Sequence, residues 1–108
     1  MATFAAFMAP SSGSGGRDGT ITTALVAAGS TGDIVIGFRT IFSIIADSTI
    51  HVRWGVAGTI ANAAATDFLI PANMLVTMDM GEEFDRIRAF AATGATGNVY
   101  VLPLARGK

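Results

Sequence analysis

Few side chains in this sequence have reactive potential. There is no cysteine and a single histidine, His51. Disulfides, thiolate metal sites and thiol nucleophiles are therefore excluded together, and any serine hydrolase would depend on His51 as its base. No G-x-S-x-G elbow accompanies it, and its place beside Arg53 on the polar side of an alternating segment points to a surface or interface role. The glycine-rich stretch SGSGGRDGT invites comparison with phosphate-binding loops. A Walker loop, however, needs Lys followed by Ser or Thr after its last glycine and a strand before it, and neither is present. The dinucleotide fingerprint fails as well, because Gly13 and Gly15 are followed by Asp18 where the third glycine belongs. Asp79, Glu82, Glu83 and Asp85, within MDMGEEFD, are close enough to ligate calcium or to act as an acid and base pair. Their spacing matches no calcium loop, and Arg86 and Arg88 follow to neutralise them, within the chain or on a neighbouring subunit. The segment reads as a turn with local ion pairs. Arg53, Arg86 and Arg88 with Phe90 have the composition of a strand face that holds single-stranded nucleic acid, but the adjacent acids cancel most of that field. The expectation is a protein that is not an enzyme, with no catalytic residues, cofactor or metal site and no small-molecule substrate.

The elements that would position these residues are strands. From Ile21 onward apolar and polar residues alternate instead of recurring at three and four. The clearest case is 49–57, where Ile50, Val52, Trp54 and Val56 share one side while His51, Arg53 and Gly55 share the other. Residues 33–46 are long enough for one strand or for two joined by a bend at 37–40. Further β-type runs fall at 21–28, 74–80, 85–92 and 98–104, separated by turn-forming clusters such as GSTG, PAN and GATG. Trp54 is expected in the core, Met74, Met78 and Met80 on the side of Val76, and Tyr100 on the side opposite Val99 and Val101. Residues 56–66, VAGTIANAAAT, are too short and weakly amphipathic for a helix and read as a loop. Six to eight short strands at this spacing predict an all-β fold, an antiparallel β-sandwich or a jelly-roll-like arrangement, as one domain over 21–108.

Residues 10–20, PSSGSGGRDGT, offer almost nothing to bury and read as a flexible or extended linker, so 1–20 is expected to be an amino-terminal arm. Its apolar tip carries Phe4, Phe7 and Met8, which either dock into a partner's groove or fold back on the chain's own core. The tip has no basic n-region and stops at Pro10, unlike a signal peptide, and the apolar run 34–46 is broken by Arg39 and too short to span a bilayer.

Charge is scarce. Charged residues make up 14% of the 108 residues and the formal net charge is -1, so no long-range field draws the chain to nucleic acid or to an anionic membrane. Fifteen ionic side chains, seven basic and eight acidic, must serve a surface on the order of 5,700 Å2. Much of that surface is therefore Ala, Gly, Ser, Thr and aliphatic groups. Interface centres are depleted in charge and the edges of an open sandwich need covering, so the chain is expected to work as an assembled subunit.

The segment IHVRWGVAGTIANAAATDFLIPANMLVTMDMGEEFDRIRAFAATGATGNVYVLPLA, residues 50–105, resembles small tailed-bacteriophage virion proteins. It has their V-R-W-G strand, Ala- and Thr-rich loop, L-I-P-A-N turn, D-M-G turn and closing I-R-A-F … G-N-V-Y-V pair. The resemblance implies a β-sandwich of capsid decoration (cement) type. Such a protein binds the outside of a shell and ties neighbouring major capsid protein subunits together. Its location would be the virion surface after synthesis in the host cytoplasm, and its partners the major capsid protein and copies of itself, as dimer or trimer, with no nucleic acid and no membrane. Phe4, Phe7 and Met8, with Arg53, Arg86 and Arg88 as polar anchors, are the candidate partner contacts. A tail or head-to-tail connector component, or a receptor- or glycan-binding module, remains the alternative.

Overall fold

A computed structural model describes residues 21–27, 29–92 and 96–106. The described residues form eight strands: β1 (Ile21–Leu25), β2 (Ile34–Val35), β3 (Thr40–Ala46), β4 (Ile50–Gly55), β5 (Phe68–Ile70), β6 (Val76–Asp79), β7 (Arg86–Ala91) and β8 (Gly97–Arg106). No helix occurs among the described residues. The strands form two antiparallel sheets, β1-β8-β3-β6 and β2-β7-β4-β5.

The pairing explains the wrapping. β4 pairs with β5, β3 with β6, β2 with β7 and β1 with β8, so the chain is one long two-stranded ribbon doubled back at the β4–β5 connection. The ribbon is then rolled so that β3 also meets β8 and β4 meets β7. That strand order is a jelly roll, which satisfies every interior ladder with antiparallel pairs and leaves β1, β6, β2 and β5 as edges. The fold expectation is met.

The core lies between the sheets and comes from alternate positions. Phe42, Ile44 and Ala46 of β3, Val99 and Val101 of β8, Ile50 and Val52 of β4, and Ile87, Ala89 and Ala91 of β7 are all essentially inaccessible to solvent. Burying one such aliphatic or aromatic side chain is worth roughly 1.5–3 kcal/mol.

Several expectations are refined. Residues 33–46 form two strands, and they belong to different sheets. The bend needs two departures from extended backbone, one on either side of Phe38, Gly37 at φ 112° and Arg39 at φ 58°, and glycine accepts the first without strain. Loop 36–39 is tied to loop 80–85 by Ile36 N–H and Gly37 N–H donating to the Asp85 carbonyl and Arg39 N–H donating to Gly81. The strand expected at 74–80 is confined to Val76–Asp79. Val76 and Met78 are half-buried against the core and Met80 is buried, whereas Met74 lies outside the strand and is exposed. Trp54 packs on the margin of the core, with its ring edge-on to Phe68 at 5.8 Å between centroids. Strand β5 was not foreseen at all.

Loop 56–67 returns across the outside of the β2-β7-β4-β5 sheet. A Cβ built on Gly55 would stand 2.6 Å from the Ile60 side chain and 3.0 Å from its Cα, so the loop crosses β4 where no side chain intervenes. Gly55→Ala is expected to lift this loop and cost on the order of 1–3 kcal/mol, the usual penalty for overpacking. Denaturant unfolding measures it, and an unchanged midpoint would show that the loop is not held here.

Candidate functional site

The two outer faces of the sandwich differ in chemistry. On the β2-β7-β4-β5 sheet the register sets Arg53 directly opposite Arg88 and His51 opposite Phe90. Two guanidinium groups so paired repel each other, and carboxylates on either side compensate. Arg53 makes a two-pronged contact with Asp67, its Nε and Nη2 each 3.0 Å from a carboxylate oxygen. Arg88 donates from Nε to Asp33 at 2.7 Å and from Nη1 to Asn62 at 2.6 Å. Arg86 grips Asp85 through Nε and Nη2 at 3.0 and 3.1 Å and also reaches Asp33 at 3.0 Å. Bidentate pairing of this kind is stronger and better fixed in geometry than a simple ion pair.

The loop completes the cover. Asp67 also accepts from Ala64 N–H through Oδ2, Ala63 N–H donates to Ser30 Oγ, and the His51 ring nitrogen Nδ1 lies 3.0 Å from the Asp67 carbonyl, which can only accept. The acidic turn resolves into local pairs. Arg39 meets Glu82 at 3.4 Å, with both side chains exposed, and Asp79 Oδ1 caps Gly81 N–H. Arg86 takes its share from Asp85, while Arg88 turns to Asp33, outside the cluster. Thus Arg53, Arg86 and Arg88 share one face, each with its charge matched inside the chain. Phe4, Phe7 and Met8 lie outside the described residues. Among the described residues no group of three His, Asp or Glu side chains is arranged to hold a metal ion.

These pairs shift ionisation. Hydrogen bonds from Arg88 and then Arg86 hold the Asp33 carboxyl below its ordinary range, and Arg53 does the same for Asp67. Asp67 and Asp85 in turn push the guanidiniums of Arg53 and Arg86 further from deprotonation. A carboxylate whose pKa is lower in the folded chain takes up its proton first in the unfolded one, so the stability it contributes is complete above about pH 4 and is lost as the pH falls through the folded value. Unfolding free energy is expected to decline on acidification below about pH 4, with a shallower decline in Asp33→Asn. Equal slopes in both proteins would mean that Asp33 carries no such linkage.

The β1-β8-β3-β6 sheet presents the opposite surface. Its outward positions follow from the register: Ile45 stands opposite Tyr100, Ser43 between Leu102 and Thr77, and Ile41 opposite Asp79. On β8 the neighbours of Tyr100 are Asn98 and Leu102, and beyond them on β1 lie Thr22 and Ala24. Ile41, Ile45, Tyr100 and Leu102 are half-buried and form an apolar ridge on either side of the buried Ser43. Around them are small polar groups, with the Ser43 and Thr77 hydroxyls bonded to each other at 2.8 Å. Among the described side chains the ionic groups at or beside these positions are two carboxylates at the margin of the face: Asp79, at the β6 edge and engaged with Gly81, and Asp47, just beyond β3, which accepts from Asn98 N–H. The face measures about 20 Å on a side from the strand spacing and rise, or roughly 400 Å2.

No protein-family model, curated protein or solved structure matches this chain. The candidate site therefore rests on the contrast between the faces: one laced with ion pairs and covered by loop 56–67, the other crossed by no loop among the described residues and carrying described ionic groups only at its margin. Sequence reasoning identified the arginines and missed Asp33, Asn62 and Asp67, their partners. It also missed the Ile41–Ile45–Tyr100–Leu102 ridge as a unit. One signal was available, since TIFSIIA and NVYVL are apolar at both parities, whereas a sheet with one solvated face alternates cleanly.

Proposed function

We propose that this chain is a non-enzymatic structural protein of a tailed-phage virion, a decoration protein that binds the outside of the capsid and bridges neighbouring major capsid protein subunits. The single observation that carries the reading is the uncharged outer face of the β1-β8-β3-β6 sheet. A four-stranded surface with an Ile, Tyr and Leu centre, a hydroxyl and amide rim and carboxylates only at its margin, Asp79 and Asp47, has the composition of an interface centre. The loop-covered face would then point to solvent with its ion pairs, as a virion exterior requires.

The area supports a particular mode of action. A face of roughly 400 Å2 is about half of what one partner contributes to a standard stable complex, so one copy bound through this sheet alone is weakly held. Many copies on a symmetric lattice, each touching more than one capsid subunit, gain strength from effective concentration. Jelly rolls serve many functions, and the argument here is from the chemistry of the face. The resemblance over residues 50–105 points the same way.

The test is cosedimentation of the purified chain with shells assembled from the major capsid protein encoded with it. Saturable attachment at a fixed ratio to capsid subunits, together with greater resistance of the shells to heat, is the expected result. Attachment to tails or connectors alone would assign the chain to that apparatus, and no attachment to either would reject a virion role.

A further inference from the structure

The flank formed by β5 and β6 is the least protected part of the sandwich. These strands are the last of their respective sheets, follow one another in the chain and are joined by turn 71–75. No charged residue occurs from Phe68 to Met78. Phe68, Leu69, Met74 and Leu75 are each about half exposed, at 52, 52, 49 and 55%. Phe68 lies opposite Val52 in the register and against the Trp54 ring, while Val76 and Met78 of the facing sheet are only partly covered. The flank is thus an apolar seam between two sheet edges. Charged side chains normally blunt such edges, and here only Pro71 and the brevity of β5 do so.

The chain itself supplies a matching segment. Residues 1–9, MATFAAFMA, carry no charged side chain, and eleven linker residues, 10–20, separate them from Ile21. Strand β1 is the edge of its sheet opposite β6. Through Val101 and Ile44, Ile21 is level with Val76, and β1 runs from there toward the end that holds turn 71–75. The chain therefore enters Ile21 on the sheet edge away from the seam. Extended, the linker reaches about 36 Å, comparable with the longest dimension of the domain, 36 Å, which is long enough to bring residues 1–9 to an adjacent molecule.

We propose that residues 1–9 of one copy seat Phe4, Phe7 and Met8 on the β5–β6 seam of a second copy. The contact is head-to-tail, since donor and acceptor surfaces differ, and it closes into a ring where the rotation between copies permits. It concerns copies of this chain alone and does not require that they coat a shell.

The absence of cysteine permits a direct test. Ala6→Cys and Ala72→Cys are made as separate proteins, mixed, and treated with a short bismaleimide; a third protein carries both changes. The mixture is expected to give a cross-linked heterodimer. Its yield at low protein concentration should fall about tenfold when Leu75→Asp is added to the Ala72→Cys chain, because a buried contact of Leu size is lost. Phe7→Asp in the Ala6→Cys chain, which leaves the sandwich untouched, should give the same loss. No heterodimer, a heterodimer insensitive to both aspartates, or links confined within single chains of the double variant would overturn the proposal. The last outcome would show the arm seated on its own flank. None of these results depends on shell attachment, so the inference and the decoration reading fail separately.

Discussion

Replacing Ile45 by arginine is expected to abolish attachment to shells while leaving the domain folded. Ile45 holds an outward position on the β1-β8-β3-β6 sheet, opposite Tyr100, and its side chain is half-buried. A guanidinium there must be desolvated against an apolar partner surface with no carboxylate to receive it. Penalties for uncompensated charge at an interface centre are on the order of 3 kcal/mol, or about a hundredfold in affinity. The cost to folding should be on the order of 1 kcal/mol, the span of β-propensity effects in a host protein. Thr66→Arg, an exposed position on the loop over the opposite face, is the matched control and should bind as the parent does. Equal loss in both variants would mean that charge anywhere interferes and that the face has no special standing.

Phe42→Ala is expected to have the reverse profile. Phe42 is three residues from Ile45 on the same strand but points inward, is fully buried, and lies opposite Met78 on one side and Pro103 on the other. Truncating a buried phenylalanine typically costs 3–5 kcal/mol. Domains of this size hold roughly 5–15 kcal/mol in all, so the variant should lose a large share of its stability in denaturant titrations. Attachment by whatever fraction remains folded should be normal. A loss below about 1 kcal/mol would contradict the placement of β3 at the centre of the core. Together the two substitutions separate the inward and outward parities of one strand.

Much of the fold was legible because it rests on local alternation. In IHVRWG the buried set Ile50 and Val52 and the polar set His51 and Arg53 separate by parity alone, and the bend between β2 and β3 was marked by Gly37 and Arg39, which interrupt the apolar run 34–46. Strand β5 was hidden, since FLI is three apolar residues between Asp67 and Pro71 with no alternation to read, and its pairing with β4 is set by the rolled ribbon. The site was harder still. Asp33 and Arg88 are 55 residues apart, and only the register of β2 on β7 brings them together. The uncharged face had no motif to announce it, because Ile41, Ile45, Tyr100 and Leu102 belong to two strands that meet by the second turn of the ribbon. Scarcity of charge in the sequence implied that such a surface exists; only the distribution of the ionic residues showed which side of the sandwich it occupies.

The most direct measurement is the orientation of this domain in a cryo-EM map of the intact particle. The expected result places β1-β8-β3-β6 against the capsid, with Tyr100 and Ile45 covered and loop 56–67 facing solvent. A map in which the Arg53, Arg86 and Arg88 face meets the shell, or in which the domain has no place on it, would contradict the account.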